Sequence, residues 1–236
     1  MGRRLAALAD AHPELAVTAS VDRGTPPIEA LDPAGVDCVI DFSVRELVAS
    51  TAQWCRAHRV PLALGTTGLE PADLSAVDAA AAEVPVVFAP NYSIGVNALF
   101  ALAGELATML GAGFDLEVVE AHHRHKVDAP SGTARRLVEV LAEARGSSYE
   151  AAARAERNGI IGPRTDAEIG VATVRGGDVV GEHTVYYLGT GEQVSLTHRA
   201  TDRDIFARGA LRAAAWLAAP GRAPGRYAML DVLRTP

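Results

Sequence analysis

The chain has 236 residues, of which 49% are hydrophobic, and a formal net charge of −7 at pH 7. That length fits one large domain or two modest ones with a real core, and the acidic balance argues against nucleic acid as a partner. Only two cysteines occur, Cys38 and Cys55, so there is no disulfide framework.

Residues 3–12 read as a helix with Leu5, Leu8 and Ala9 on one face. The apolar run of the opening segment ends at Asp10, too short for a signal peptide, and no segment is expected to be long enough to span a membrane. A cytoplasmic protein is expected. Residues 15–21 read as a strand that ends at Asp22-Arg23. Strands are expected again at 36–42, 60–64 and 84–89, with helices at 46–58, 71–82 and about 95–110. Strand and helix alternate, which predicts a parallel sheet with crossover helices on both faces.

Ligands bind such sheets at the carboxyl ends of the strands. Asp22 could accept hydrogen bonds from an adenosine ribose, and Arg23 could meet a 2′-phosphate. Gly65, Thr66 and Thr67 follow one strand; Ala89, Pro90, Asn91 and Tyr92 follow another. Each alone also reads as an ordinary turn. At successive strand ends they read as a dinucleotide cleft.

After residue 113 the pattern changes. A strand through Leu116–Glu120 runs into E-A-H-H-R-H-K-V-D-A-P-S-G-T, Glu120 to Thr133. If the backbone stays extended, His122, Arg124 and Lys126 share one face and His123 and His125 the other. Asp128, Pro130 and Ser131 are start signals for a helix carrying Ala134, Leu137, Val138 and Leu141. A cationic cluster followed by a helix N-terminus could hold two anionic groups at once. The same histidines also fit a solvated turn or a zinc site, although neither C-x-x-C nor H-E-x-x-H is present and no metal is expected. A polar stretch follows at 154–166. Three strand-like runs come next, 168–175, 179–188 and 192–197, separated by the hairpin-type turns Gly176-Gly177-Asp178 and Gly189-Thr190-Gly191. These runs read as an antiparallel α+β region, and a helix follows at 204–218.

The Glu120–Thr133 segment resembles the signature of the 4-hydroxy-tetrahydrodipicolinate reductases, also called dihydrodipicolinate reductases, of bacterial lysine and diaminopimelate biosynthesis. The resemblance spans almost the entire chain. It implies reduction of a cyclic dicarboxylate by NADPH or NADH. In the matching motif His122 corresponds to the proton donor/acceptor and Lys126 to the proton donor, with His123, Gly132 and Thr133 at substrate-binding positions. The strand-end residues from Asp22 to Tyr92 match the family's cofactor positions in order. The resemblance also implies a homotetramer formed through the antiparallel sheet.

The expected architecture is α/β. A Rossmann-like parallel sheet is expected at 1–92 plus 204–236, and an α+β substrate-binding and tetramerisation domain at 93–203. One departure stands out. The family's loop has the form G-x-x-G-R-M-G, and only Met1-Gly2 matches it here. Asp22 lies 20 residues after Gly2, close to the usual spacing of the ribose carboxylate. The first strand is therefore expected to be missing, with the cofactor site impaired. Two rival readings stay open: a dehydrogenase acting through a thiolate, for which neither cysteine has suitable neighbours, and a dicarboxylate-binding or subunit-associating protein that does not turn over.

Overall fold

The computed structural model describes residues 1–234. Contacts divide the chain into two units, Met1–Ile94 with Asp204–Pro236, and Gly95–Arg203.

The first unit begins with helix α1 (Gly2–Asp10), which buries Leu5 and Ala9. The strand expected at 15–21 does not form. Val17 and Val21 are exposed, and no strand among the described residues pairs with this segment. A strand is defined by its ladder, and β-branched composition cannot replace a missing partner. Strand β1 (Val39–Asp41), helix α2 (Arg45–His58), strand β2 (Leu62–Leu64), helix α3 (Pro71–Ala81) and strand β3 (Pro85–Phe88) then alternate. The strands are parallel, in register Asp41↔Leu64 and Leu64↔Phe88. Helix α3 starts where Pro71 follows a reciprocal capping box of Glu70 and Asp73.

The second unit opens with helix α4 (Ile94–Leu110), followed by strand β4 (Asp115–His122), helices α5 (Gly132–Ala144) and α6 (Tyr149–Ala152), and strands β5 (Ala153–Arg154), β6 (Ile169–Arg175), β7 (Gly181–Gly189) and β8 (Glu192–Ala200). Their order in the sheet is β5-β6-β4-β7-β8. The wholly antiparallel region expected here is corrected: β5, β6 and β4 run parallel, and only β4-β7-β8 are antiparallel. Gly176-Gly177-Asp178 is therefore no hairpin turn, because β4 lies between β6 and β7. Thr190-Gly191 does join hydrogen-bonded partners, with Gly191 at φ +83. Leu99, Ala103 and Ala107 of α4 and Leu137, Val138 and Leu141 of α5 form one core with Leu116, Val118, Val185 and Tyr187 of the sheet.

The segment Ile94–Gly113 is long and apolar enough to cross a membrane by length and composition, which corrects the expectation that none is. Core helices meet the same test. This one lays its Leu99, Ala103 and Ala107 face on the sheet and leaves Leu102 and Met109 exposed.

The chain then returns to the first unit. Helix α7 (Asp204–Ala218) leads to strand β9 (Gly225–Tyr227), which pairs in parallel with β3, and to helix α8 (Met229–Arg234). Each face of this four-stranded sheet has its own core. Ala63 and Val87 join Leu5, Ala210, Leu217 and Met229. Leu62, Leu64 and Val86 join Val48, Trp54 and Val77. Strands of alternating facing, apolar on both sides, are what a parallel sheet with helices on both faces requires.

Candidate active site

Leu116, Val118, Glu120 and His122 follow one another at every second position of β4, so they share one face of the sheet. The first two are core residues. Glu120, equally buried, is a carboxylate, and burying one is tolerable only when it is fully hydrogen-bonded. Arg175 at the end of β6 donates to both of its oxygens, at 2.7 and 2.8 Å. The Ser131 amide donates to Oε1 at 3.0 Å. His122 Nδ1 lies 2.6 Å from Oε2. Burial alone raises the Glu120 carboxyl, but the bonds from Arg175, His122 and Ser131 outweigh it and hold it down at about 2. Glu120 is therefore an anion at every physiological pH.

Strand β4 ends at His122. The chain then turns, with the Lys126 amide donating to the His123 carbonyl and the Arg124 amide to the Gly177 carbonyl. The alternation of faces expected through Lys126 stops there. Lys126 Nζ pairs with Asp128 Oδ1 at 2.7 Å, and this bond holds the Asp128 carboxyl below its usual value. Arg175 also donates to the Asp128 carbonyl, tying the loop to the sheet. His123 Nε2 lies 3.4 Å from Arg203 Nη2, and its Nδ1 is buried without a partner. Partial burial, then the Arg203 charge, lower its pKa.

Ser131 is the N-cap of α5; its Oγ accepts from the Ala134 amide at 3.1 Å. Gly132, exposed, and Thr133 open the helix. Ser131 Oγ also meets Nε2 of buried His183 at 3.0 Å. The His183 ring stands edge-on to His122, with centroids 5.0 Å apart. Burial first, then the nearby His122, push the His183 pKa down to about 4. His183 is neutral near pH 7 and leaves the positive charge to its neighbours. Among the described residues no group of three or more His, Cys, Asp or Glu is placed to hold a metal ion.

In the first unit, Gly65–Thr67 follow β2 and Ala89–Tyr92 follow β3, on the same edge of the parallel sheet. Their side chains mostly serve the protein. Thr66 Oγ1 donates to buried Asp41 at 3.0 Å. The Tyr92 ring is in the core, and its hydroxyl donates to the Val87 carbonyl. The Asn91 carboxamide oxygen accepts from the Ser93 amide. Phe42 fills the space beside Gly65, where a Cβ would lie 2.2 Å from the ring. Asp22 and Arg23 sit on a separate, exposed turn whose bonds are internal: Thr25 Oγ1 accepts from the Asp22 amide, and Asp22 Oδ1 from the Arg23 amide. Burial pushes the Cys38 thiol up to about 12 and raises that of Cys55, so neither is a thiolate.

Sequence reasoning missed Glu120, Arg175 and His183. Glu120 and His183 were visible as polar residues inside apolar strand patterns and Arg175 as the last residue of a strand, but nothing in one sequence says that three strands bring them together.

The family model for the C-terminal part of dihydrodipicolinate reductase matches residues 95–233, and that for the N-terminal part matches 1–92. The chain is 58% identical over 204 residues to the 4-hydroxy-tetrahydrodipicolinate reductase of Myxococcus xanthus, covering 86% of this chain and 74% of the relative. It is 48% identical over 254 aligned residues to that of Anaeromyxobacter dehalogenans strain 2CP-1, covering 99% and 93%. A solved structure of dipicolinate-bound dihydrodipicolinate reductase from Paenisporosarcina sp. TG-14 superposes with a TM-score of 0.64 at 25% identity, over 83% of this chain and 72% of that one. The chain belongs to the dihydrodipicolinate reductase family.

Proposed function

We propose that the chain reduces 4-hydroxy-tetrahydrodipicolinate to tetrahydrodipicolinate with NADPH or NADH, a step of lysine and diaminopimelate biosynthesis. The observation that carries this reading is the imidazole of His122 held by a buried carboxylate, with a lysine loop and a capped helix start tied to that same carboxylate. A hydrogen bond from Nδ1–H to Glu120 leaves Nε2 of His122 to exchange a proton, and imidazole is the side chain best suited to that near neutral pH. Loss of water from the hydroxyl-bearing carbon leaves a conjugated unsaturated imine. The hydride adds to that carbon, Lys126 supplies positive charge and a proton to the ring nitrogen, and the resulting enamine takes its proton onto carbon, which restores the ring imine in the product. Gly132 and Thr133 grip one substrate carboxylate at the start of α5, where backbone amides and the helix dipole favour an anion, and His123 takes part in binding the other.

The first unit's donor set fits a pyridine nucleotide. Backbone amides at Thr66, Thr67, Asn91 and Tyr92 line adjacent strand ends, with Pro90 shaping the second turn, while the Gly65 and Ala89 amides donate to the Asp41 and Leu64 carbonyls and fix where these loops begin. Exposed Asp22 and Arg23 offer groups for the ribose and a 2′-phosphate. A bound nicotinamide nucleotide supplies the hydride. The protein works as a homotetramer in the cytoplasm.

The test is to incubate the purified chain with the cyclic dicarboxylate and follow nicotinamide absorbance with each nucleotide. Substrate-dependent oxidation of both is expected. Binding of either partner without turnover would instead support a non-catalytic dicarboxylate-binding protein.

A further inference from the structure

We propose that Glu120 is the positioning residue of this site: it fixes His122 with its proton on Nδ1, leaving Nε2 free for proton exchange, and it sets the Lys126 loop and the start of α5 from one buried carboxylate. The inference rests on the reading of His122 as the proton-exchanging group.

Three connections meet on this side chain. The first is direct, His122 Nδ1 to Oε2 at 2.6 Å. The second runs through Arg175, which binds both Glu120 oxygens and the Asp128 carbonyl at 2.7 Å, two residues from Lys126. The third is the Ser131 amide on Oε1, at the N-cap of the helix that carries Gly132 and Thr133. Thr173 Oγ1 adds a long contact at 3.4 Å. Strand, loop and helix thus share one reference point. An apolar residue at 120 would continue the Leu116–Val118 core pattern and save the cost of burying a charge. The carboxylate instead organises His122, the Lys126 loop and the start of α5.

A carboxylate acceptor forces a neutral imidazole to keep its proton on the facing nitrogen. It also stabilises the imidazolium that forms after proton uptake. The other groups around His122 act differently. His183 is 5.0 Å away ring to ring and stays neutral, Lys126 and His123 lie in the following loop, and Arg175 is neutralised by Glu120. Opposite, Gly181 has no side chain to crowd Nε2: a Cβ there would lie 3.0 Å from it.

The first measurement uses the unaltered protein. Long-range ¹⁵N–¹H spectra of the histidine rings above pH 8 should show His122 with its proton on Nδ1. The second uses Glu120→Gln. Its neutral carboxamide, which can donate as well as accept, should give a mixture of His122 tautomers. Its kcat should fall by about 10²-fold with KM changed far less. A wild-type His122 protonated on Nε2 overturns the proposal even if the variant does not fold. So does a Glu120→Gln protein with wild-type tautomer and kcat. Absence of reductase activity in the wild type would defeat the functional reading and leave the tautomer result standing.

Discussion

In the first unit the candidate positions after β2 and β3 sit on loops following strands of three or four residues, and the side chains of Thr66 and Tyr92 turn inward, while Asp22 and Arg23 stand on an exposed turn. Tyr92 fills the core and Thr66 holds Asp41. In the second unit the candidate groups are side chains on or beside an eight-residue central strand, locked to one another through Glu120. On the proposed reading, the first presents backbone to a ligand and the second presents titratable groups. A backbone site depends on loop shape, so it is damaged by steric change. A side-chain site depends on charge and proton position, so it is damaged by isosteric change and by pH.

The largest effect should come from removing the proton-handling groups. Lys126→Ala and His122→Ala are each expected to lower kcat by about 10²-fold or more with a smaller change in KM, the range typical of general acid–base groups. Steady-state kinetics with wild-type kcat in both variants would remove them from the chemistry.

Acid stability should separate the units next. An unfolded histidine takes up its proton near pH 6.5, but folded His183 does so only near 4. Its contribution is therefore full above pH 6.5 and lost as pH falls toward 4, on the order of 3 kcal/mol. Glu120 continues the trend below that: its contribution is present above about 4.5 and lost toward 2. Thermal melts between pH 7 and 4 should show a steep fall in the wild type and a flatter one in His183→Gln. Equal slopes would mean that His183 is not buried and neutral as described.

A steric change probes the first unit. Gly65→Ala places a methyl 2.2 Å from the Phe42 ring, and the resulting displacement should cost about 1–3 kcal/mol of stability. Nucleotide affinity should weaken with it, while the second unit's histidine spectra stay unchanged. Altered His122 signals in this variant would break the distinction between the units.

The smallest effect should be on nucleotide choice. Asp22→Ala relieves repulsion of a 2′-phosphate by an exposed carboxylate, and exposed charges are worth less than about 1 kcal/mol. The kcat/KM ratio should move toward NADPH by about 2- to 5-fold. An unmoved ratio would take Asp22 away from the ribose.

Periodicity made the alternation of the first unit legible, because buried parallel strands and amphipathic helices carry strong local patterns. It misplaced residues 15–21, since a ladder needs a partner that composition does not reveal. It took β6 and β7 as a hairpin because Gly176-Gly177-Asp178 has turn chemistry, whereas β4, more than fifty residues upstream of β6, intervenes between them. The H-H-R-H-K motif drew attention to the loop that follows β4. Glu120, Arg175 and His183 stayed hidden because their meaning is a distance between strands. Tyr92 was read as a contact residue, and burial shows that its side chain belongs to the core.

The close approach of α7 to the turn after β3 has a consequence for how the chain is completed during synthesis. Gly209 packs so tightly on the Tyr92 carbonyl that a Cβ would lie 1.7 Å from it, and β9 supplies the second ladder partner of β3. Both come from chain made after the entire Gly95–Arg203 unit. That unit is contiguous and holds all five of its strands, so a growing polypeptide can assemble it as soon as Arg203 emerges. The earlier-made segment must wait, with one side of β3 unpaired and its Ala63–Val87 face uncovered, until the last thirty or so residues arrive. The unit that carries the histidine and lysine cluster can therefore be finished first, and the unit built on the parallel sheet closes last.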